Sequence, residues 1–239
     1  MSRRRNPKFY FSFQSPYSWM ATEVLRRRRP EVFDIVDMIP VFRVDEPAKA
    51  ALDDRGVEPL YVEMSKAKHL YIVQDTKRLA AQLDLTMRWP IDRDPWWVLP
   101  HHAWLAARRT GDQHRLYWAL IEARWGQGAD ICDPDTLRRI ATDAGLDGAA
   151  LVAAPEDPQL RAEGIDAMEA AYFDDVFGMP YFKIGPHRFW GLDRVPDFLE
   201  ALDAWQEKER DRTDPLAGVP DGGRAAVGGY DTDSAGGCG

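Results

Sequence analysis

The chain has 239 residues, of which 45% are hydrophobic and 29% charged, so it can bury a substantial core and has an ordinary globular composition. Its formal net charge of -8 and pI near 5.2 disfavour a general nucleic-acid or anionic-membrane partner, because the long-range field repels both. No apolar run approaches the ~20 residues that span a bilayer, and no signal-peptide pattern is present, so we expect a cytoplasmic protein.

The opening of the chain predicts a strand, a helix and a second strand. Residues 8–13 (KFYFSF) alternate and are rich in aromatic side chains, which favours a strand. Ser15 is then followed by a proline, typical of a helix start, and the helix is predicted over residues 16–29, until Pro30 ends it. Residues 34–42 (DIVDMIPVF) predict the second strand. This βαβ order favours an α/β fold.

The next part of the chain is helical almost throughout, from about residue 47 to residue 171. Predicted helices cover residues 74–83, 96–110, 112–126, 133–144 and 158–173. Strand patterns return at residues 181–184 and 187–190, separated by a Gly-Pro turn, and a last helix is predicted over residues 193–210.

This order of elements is typical of a thioredoxin-like fold with an inserted all-helical domain. We expect the first half of the thioredoxin-like domain at residues 8–46, the inserted domain at 47–171 and the second half at 172–210. Residues 211–239 are rich in glycine, aspartate and proline with few apolar anchors, so we expect them to form a disordered tail.

Ser15 and Ser18 stand at the strand-to-helix junction where thioredoxin-fold oxidoreductases place a C-x-x-C pair. The unpaired N–H groups and partial positive charge of a helix N-terminus stabilise a thiolate there. Two serines leave no sulfur to oxidise, which excludes dithiol exchange at this position. A hydroxyl can still donate a hydrogen bond to a sulfur anion that a ligand supplies. The simpler alternative is that Ser15 is only a helix cap.

Two later positions fit the same interpretation. Met179-Pro180 precedes the third strand, where thioredoxin folds carry a cis-proline opposite the first helix; an ordinary trans proline at a strand start is the alternative. Asp193 opens the final helix and is either a simple cap or one side of a site for a group with both a carboxylate and an ammonium. The γ-glutamyl end of glutathione is such a group.

The segments SPYSW, GMPYF and FWGLDR together resemble the 2-hydroxychromene-2-carboxylate isomerase and kappa-class glutathione transferase family, a DsbA-like branch of the thioredoxin superfamily, over roughly residues 8–202. The resemblance implies that Ser15 contacts the glutathione sulfur and that the backbone of Met179, before Pro180, pairs with the cysteinyl unit. It also implies that Leu192 and Asp193 bind the γ-glutamyl end.

A fourth segment, Lys68 to Tyr71 followed by Asp75, resembles the family segment whose lysine reaches the ligand, here Lys68; solvated surface is the alternative. The chain departs from the family in two places. The family's asparagine before this lysine has no counterpart in residues 58–61 (EPLY), and Leu192 replaces a polar residue, leaving only its backbone to help. The thiol is therefore glutathione or another low-molecular-weight thiol such as mycothiol.

The resemblance implies a thiol-dependent isomerase in which a thiolate adds to an aromatic or polycyclic substrate and is then expelled. A kappa-class-like transferase that leaves the thiol attached is the near alternative, and a redox-inactive thioredoxin-fold binding module is the alternative outside enzymes. Family members are often dimers, which implies a homodimer.

Other chemistry-bearing residues are assigned more simply. Trp97 and Trp104 are seven residues apart on one helical face; core packing is the favoured role, and a wall of a substrate pocket, together with Tyr17 and Ser18, is the alternative. The histidines lack metal-ligand spacing, so no metal is expected. Cys132 and Cys238 do not form a disulfide framework. The heavy use of alanine, arginine, aspartate, glycine and proline is typical of a GC-rich bacterial genome.

Overall fold

The computed structural model describes residues 6–58 and 65–213. Its strands are β1 (Lys8–Phe11), β2 (Asp37–Pro40), β3 (Tyr181–Ile184) and β4 (His187–Trp190). Its helices are α1 (Pro16–Arg28), α2 (Val32–Ile35), α3 (Glu46–Asp54), α4 (Lys66–Gln82), α5 (Val98–Thr110), α6 (Gln113–Ile121), α7 (Pro134–Asp143), α8 (Gly148–Ala153), α9 (Pro158–Phe173) and α10 (Val195–Thr213). Short 3-10 helices (Ala154–Glu156 and Leu192–Arg194) and a π-helical turn (Glu122–Gly126) lie between them.

The strands form one mixed sheet in the order β2-β1-β3-β4. β1 runs parallel to β2 and antiparallel to β3, and β3 pairs with β4 as a hairpin. In this register Phe9 lies between Met38 and Phe182. The sheet therefore joins the two ends of the chain, and the predicted α/β fold with a thioredoxin-like sheet is confirmed.

Aromatic side chains of β1 and β3 fill the interior on one face of the sheet. The rings of Phe9 and Phe182 stack at 4.7 Å, and Phe182 stacks on Phe198 of α10 at 4.4 Å. Phe11, on the same face as Phe9 because strand side chains alternate, packs edge-on against Trp104 of α5 at 5.0 Å. These stacked rings are fully or almost fully buried, so they hold α5 and α10 against the sheet.

The predicted start of the second strand, at residue 34, is wrong, because β2 begins at Asp37. Residues 32–35 form the short helix α2, whose last turn is closed by a hydrogen bond from Val36 N–H to the Val32 carbonyl at 3.0 Å. Strand pairing begins only where Asp37 N–H donates to the Pro7 carbonyl at 2.8 Å. A short apolar run fits one helical turn as well as a strand, so the pattern does not separate the two.

Two helices, α3 and α8, are absent from the predicted set. Asp45 and Asp147 cap them by accepting hydrogen bonds from the N–H groups of Ala48 and Ala150. α4 also begins at Lys66, eight residues before the predicted start at Gln74. Its surface explains the difference, since only Thr76 and Ala80 are buried and the helix has little apolar periodicity to detect.

The chain divides into two compact units, Met1–Leu202 and Asp203–Gly239. The first contains the sheet and the helical segment between β2 and β3. The boundaries predicted for an inserted helical domain, residues 47 and 171, stay a prediction. Of the second, residues 203–213 are described and are helical, so the last helix begins two residues later and ends three residues later than the predicted 193–210. The rest of the predicted tail, from residue 214, lies outside the described residues. Among the described helices, none is long and apolar enough to cross a membrane.

Candidate active site

Ser15 lies in the turn between β1 and α1 and caps the helix. Its backbone is extended (φ -92°, ψ 115°), and its Oγ accepts a hydrogen bond from the Ser18 N–H at 3.2 Å. The same hydroxyl donates to the main-chain carbonyl of Met179 at 3.3 Å. Because a hydroxyl donates once and accepts twice, this geometry uses its single proton on the chain segment that precedes β3.

The Met179-Pro180 peptide bond is cis, as the thioredoxin-like fold predicts. Met179 is half-buried and Pro180 is buried. The Pro180 carbonyl accepts a hydrogen bond from the Gly191 N–H at 3.0 Å. Together with the hydrogen bond from Ser15 to Met179, this bond places the end of β4 near the start of α1.

Leu192 and Asp193 follow immediately, in the 3-10 helix that packs beside α1. Leu192 is half-buried, whereas the Asp193 side chain is 74% exposed and lies 3.6 Å from the Arg194 guanidinium. Gly191 adopts φ +104°, a conformation that favours glycine, and a Cβ there would lie 2.7 Å from Asp193 Oδ1. Two hydrogen bonds thus unite the three motifs that the sequence analysis selected from opposite ends of the chain.

Lys68 lies in the first turn of α4, where Ser65 caps the helix by accepting from the Lys68 N–H at 3.3 Å. Its side chain is exposed and has no hydrogen bond or ion pair within residues 6–58 and 65–213. Asp75 lies seven residues later, on the same helix face and about 10 Å further along the axis. Asp75 accepts a hydrogen bond from the Tyr17 hydroxyl at 2.8 Å, which joins α4 to the first turn of α1.

The hydrogen bond between Tyr17 and Asp75 is not predicted by the sequence. Burial raises the pKa of the Tyr17 phenol, and the hydrogen bond to Asp75 raises it further, so this phenol stays protonated. Arg78 at 3.0 Å and the Tyr71 hydroxyl at 3.4 Å also contact the carboxylate. The sequence predicts Tyr17 as a residue of the substrate pocket. In the structure its hydroxyl donates a hydrogen bond to Asp75 of α4.

Ser18, Trp97 and Trp104, the other predicted pocket residues, lie in the interior. Ser18 is fully buried, and its Oγ accepts from the Ser12 N–H at 3.4 Å. Trp97 and Trp104 are 2% and 1% exposed, and Trp97 stacks on the guanidinium of Arg124 at 4.6 Å. With so little exposed surface, the two indoles present no open wall beside Ser15, and core packing is the role that their burial supports.

A different row of aromatic rings reaches the start of α1. His69 of α4 lies edge-on to Trp89 at 6.2 Å, Trp89 lies edge-on to Trp125 at 5.8 Å, and Trp125 stacks on Trp19 at 5.9 Å. Trp19 is one helical turn after Ser15, His69 is exposed and Trp89 is half-buried. Four separate elements supply these rings, so no spacing in the sequence indicates the row.

The described part of the chain contains one cysteine, Cys132, just before α7. Its thiol is buried, and this burial raises its pKa, so it is neither ionised nor placed at the start of α1. Cys238 lies outside the described residues. Within the described residues, no group of three or more His, Cys, Asp or Glu side chains is arranged to hold a metal ion.

The sheet, the cis-proline and the capping serine define a thioredoxin-fold protein whose first helix begins without a redox cysteine pair. A DSBA-like thioredoxin domain matches residues 8–203. Over 196 residues the chain is 32% identical to a 2-hydroxychromene-2-carboxylate isomerase of Sphingobium xenophagum, covering 81% of this chain and 95% of the relative. The chain belongs to the DSBA-like thioredoxin-domain family, on the branch that includes 2-hydroxychromene-2-carboxylate isomerase.

Solved structures support the same fold. A 2-hydroxychromene-2-carboxylate isomerase superposes with a TM-score of 0.61 at 19% identity, over 87% of this chain and 99% of that one. Pseudomonas aeruginosa DsbA superposes with a TM-score of 0.53 at 12% identity, over 89% of this chain and 88% of that one. At these identities the likeness concerns the fold alone.

Proposed function

We propose that this protein is a thiol-dependent isomerase of the 2-hydroxychromene-2-carboxylate isomerase type, acting in the cytoplasm on an aromatic or polycyclic substrate. The observation that carries the proposal is the Ser15 hydroxyl, held at the N-terminus of α1 against the Met179 carbonyl. This is the thioredoxin-fold position for a reactive sulfur, and this chain has none there. The isomerase of Sphingobium xenophagum, at 32% identity, supports the choice of reaction.

The proposed role of Ser15 is to favour the thiolate form of the bound thiol. Lowering a thiol pKa by one to two units requires about 1.4–2.7 kcal/mol of preferential binding of the anion. One hydroxyl hydrogen bond to a charged acceptor supplies about 1.5–3 kcal/mol, and the helix terminus adds to it. A thiolate at this point would accept the hydrogen bond of the Ser15 hydroxyl in place of the Met179 carbonyl, while the Ser15 oxygen continues to cap α1.

The remaining proposed contacts fix the rest of the thiol. The backbone of Met179, before Pro180, pairs with the cysteinyl unit of glutathione, or with the matching unit of mycothiol. The exposed Asp193 carboxylate and the Leu192 backbone bind the end that carries an ammonium and a carboxylate. Lys68, a cation with no partner within residues 6–58 and 65–213, binds a second carboxylate.

The proposed reaction is an addition followed by an elimination. The thiolate sulfur forms a bond to a conjugated carbon of the substrate, and the electron pair of the C=C bond moves onto the substrate carbonyl. The former double bond rotates, the electron pair returns, and the S–C bond breaks to release the thiolate. His69 and Trp89, beside Lys68 at the end of the aromatic row, are suited to contact the aromatic part of the substrate.

The first test replaces Ser15. We expect Ser15→Ala to lower turnover by about 10- to 100-fold, which corresponds to one hydrogen bond to an anion, and Ser15→Thr to retain much of the activity because it keeps the hydroxyl. Asp133→Ala is the matched control: Asp133 caps α7 through the Thr136 N–H at 2.8 Å and has no part in the site. Both alanine variants should lose about 1 kcal/mol of stability. Wild-type turnover in Ser15→Ala would remove Ser15 from the mechanism.

The second test follows the thiol. An isomerase returns all of it, whereas a transferase consumes it in proportion to product. Calorimetry with glutathione and with mycothiol identifies the preferred thiol. If neither binds and an extended peptide binds tightly, the protein is a binding module.

A further inference from the structure

His101 of α5 is a fully buried histidine that contacts the turn between β1 and α1. Its Nε2 lies 3.2 Å from the Phe13 main-chain nitrogen, and its Nδ1 lies 2.6 Å from the Trp97 carbonyl oxygen. A main-chain N–H can only donate, so Nε2 accepts and the ring proton is on Nδ1. Both nitrogens of the neutral ring are therefore satisfied, one by its own helix and one by the turn.

The Phe13 contact differs from the other main-chain hydrogen bonds of this turn. The N–H groups of Ser12, Gln14 and Ser15 bond to oxygen atoms of the turn itself or of the first turn of α1. The Phe13 N–H lies between them in the chain, and its acceptor is 88 residues away in the sequence. His101 thus holds, from outside the turn, a point two residues before Ser15.

The same turn fixes the direction of the Ser15 hydroxyl. Ser15 Oγ accepts from the Ser18 N–H at 3.2 Å and donates to the Met179 carbonyl at 3.3 Å. Ser18 Oγ in turn accepts from the Ser12 N–H at 3.4 Å. These distances are at or beyond the upper end of the usual hydrogen-bond range, so a small shift of the turn would weaken all three bonds.

The next residue, His102, provides a matched comparison. It is 3% exposed, and its Nδ1 lies 2.9 Å from the Val98 carbonyl, which is the same bond to the preceding helical turn that His101 makes. Its Nε2, however, has no hydrogen-bond partner within the described residues. The two buried histidines therefore share the contact within α5 and differ in the bond to the turn at Ser15.

We propose that His101 is a positioning residue for the Ser15 hydroxyl, acting through its hydrogen bond from the Phe13 N–H. Its effect on catalysis rests on the proposed thiol chemistry, whereas the positioning of Ser15 does not. The rings of Phe11, Phe13 and Phe42 lie 6.4, 5.0 and 4.7 Å from the imidazole, in an interior that an apolar side chain would also fill. What an apolar side chain lacks there is the acceptor for the turn.

The first measurement follows the turn with no thiol present. NMR of the full chain measures hydrogen exchange at the Ser18 amide, whose acceptor is Ser15 Oγ. We expect His101→Leu to accelerate this exchange about tenfold. His101→Gln, whose side-chain oxygen can accept from the Phe13 N–H, should recover most of the protection. His102→Leu, which removes the matching bond within α5, should exchange at the wild-type rate.

An internal reference separates positioning from a general loss of stability. Asp133 accepts from the Thr136 N–H at the start of α7 as Ser15 does from the Ser18 N–H at the start of α1. Acceleration at Ser18 without acceleration at Thr136 supports the proposal. Unchanged exchange at Ser18, or equal acceleration at both amides, would overturn it. In the wild-type chain, the absence of a scalar coupling across the N–H···N bond to His101 would overturn it as well, whether or not the leucine variant folds.

The second measurement follows the bound thiol, with glutathione and mycothiol as the probes and the ultraviolet absorbance of the thiolate as the readout. Burial lowers the pKa of His101 to about 3, so its ring carries no charge where a thiol titrates, and a change in the thiol pKa comes from the turn. We expect the bound thiol pKa to rise by about 0.5–1 unit in His101→Leu and to return towards the wild-type value in His101→Gln. An unchanged thiol pKa in His101→Leu would overturn the catalytic part of the proposal. If the wild-type protein binds neither thiol, the proposed function fails, and the exchange at Ser18 still decides whether His101 positions Ser15.

Discussion

Tyr17 and Tyr71 both approach the Asp75 carboxylate, but only Tyr17 does so from another element. Its hydroxyl lies 2.8 Å from Oδ2 across 58 residues of sequence, while Tyr71 lies 3.4 Å from Oδ1 on the same helix and is 58% exposed. A half-buried hydrogen bond to a charged group contributes more than an exposed, longer one. The Tyr17 contact is therefore the one that holds the middle of α4 near the start of α1.

We expect Tyr17→Phe to lower the free energy of unfolding by about 1–2 kcal/mol and Tyr71→Phe to change it by less than ~0.5 kcal/mol. Urea unfolding of the two variants measures the difference. Tyr17→Phe should also weaken the proposed binding of a thiol, because Lys68 lies on the same face of α4 as Asp75. Equal stability of the two variants would show that the contact does not join the helices.

At the level of single residues, the sequence predicts the Ser15 cap and the cis-proline after Met179, because each lies at a junction of elements, where a cap or a proline is visible locally. Asp193, predicted to open the final helix, lies instead in the 3-10 helix before α10, with an exposed side chain beside Arg194. The partner of Tyr17 is not visible. Asp75 lies on a helix whose exposed surface shows little periodicity, and the hydrogen bond depends on how that helix sits against α1.

Among the elements, the connection from β4 to α10 depends on Gly191. Its φ of +104° and ψ of 163° fall in a region that is almost exclusive to glycine, and a Cβ would approach Asp193 Oδ1 within 2.7 Å. Its N–H also bonds the Pro180 carbonyl at 3.0 Å. Gly185, in the hairpin turn, has φ +56° and open space around its Cβ position.

These two glycines make a matched pair. We expect Gly185→Ala to cost about 1 kcal/mol, from the left-handed backbone alone, and Gly191→Ala to cost about 2–3 kcal/mol, because it adds crowding and a less accessible conformation. Thermal unfolding followed by circular dichroism compares them. A cost for Gly191→Ala no larger than that for Gly185→Ala would contradict the importance of this turn.

Element prediction succeeds where a strong cap or a stop marks the boundary. α9 and the β3–β4 hairpin have the predicted bounds, helped by Asp157 before a proline and by the Gly-Pro turn. Asp45 and Asp147 are equally good cap signals for α3 and α8, but these helices, of nine and six residues, are too short for a clear helical period in the sequence. β2 could not be bounded from the sequence, because its start is set by pairing with β1.

At the scale of the whole molecule, His101 connects α5 to the turn that carries Ser15. Its Nε2 accepts from the Phe13 N–H at 3.2 Å, so the ring is neutral and its Nδ1–H donates to the Trp97 carbonyl at 2.6 Å. Burial lowers the pKa of His101 to about 3. Burial also lowers the pKa of the neighbouring His102, with a smaller opposing effect from its hydrogen bond to the Val98 carbonyl.

Asp174 makes the fold depend on pH in the same direction. Burial alone would raise its pKa, but hydrogen bonds from Lys183, Lys8 and Tyr10 outweigh this and hold the pKa at about 2. The carboxylate therefore stabilises the folded state above pH ~4, near the unfolded pKa of aspartate, and this contribution is lost as the pH falls towards 2. As the pH falls, the loss of stability through Asp174 begins near pH 4, whereas the loss through His101 begins near pH 6.5.

The buried His101 makes the stability of the fold sensitive to mild acid. Between pH 6.5 and about 3, His101 binds a proton in the unfolded chain but not in the folded one, so stability is complete above pH 6.5 and falls as the pH falls. One such proton corresponds to a slope of about 1.4 kcal/mol per pH unit. Urea unfolding from pH 4.5 to 8 should show, below pH 6.5, a slope that is the sum of this His101 share and a share from His102, and His101→Gln should remove the His101 share of about 1.4 kcal/mol per pH unit and leave that of His102. His187→Gln, an exposed position on β4, is the control and should follow the wild-type profile. A change in slope reports the missing proton, whereas hydrogen bonds that glutamine fails to replace change the absolute stability at every pH. An unchanged slope in His101→Gln would show that His101 is not the source of the acid sensitivity.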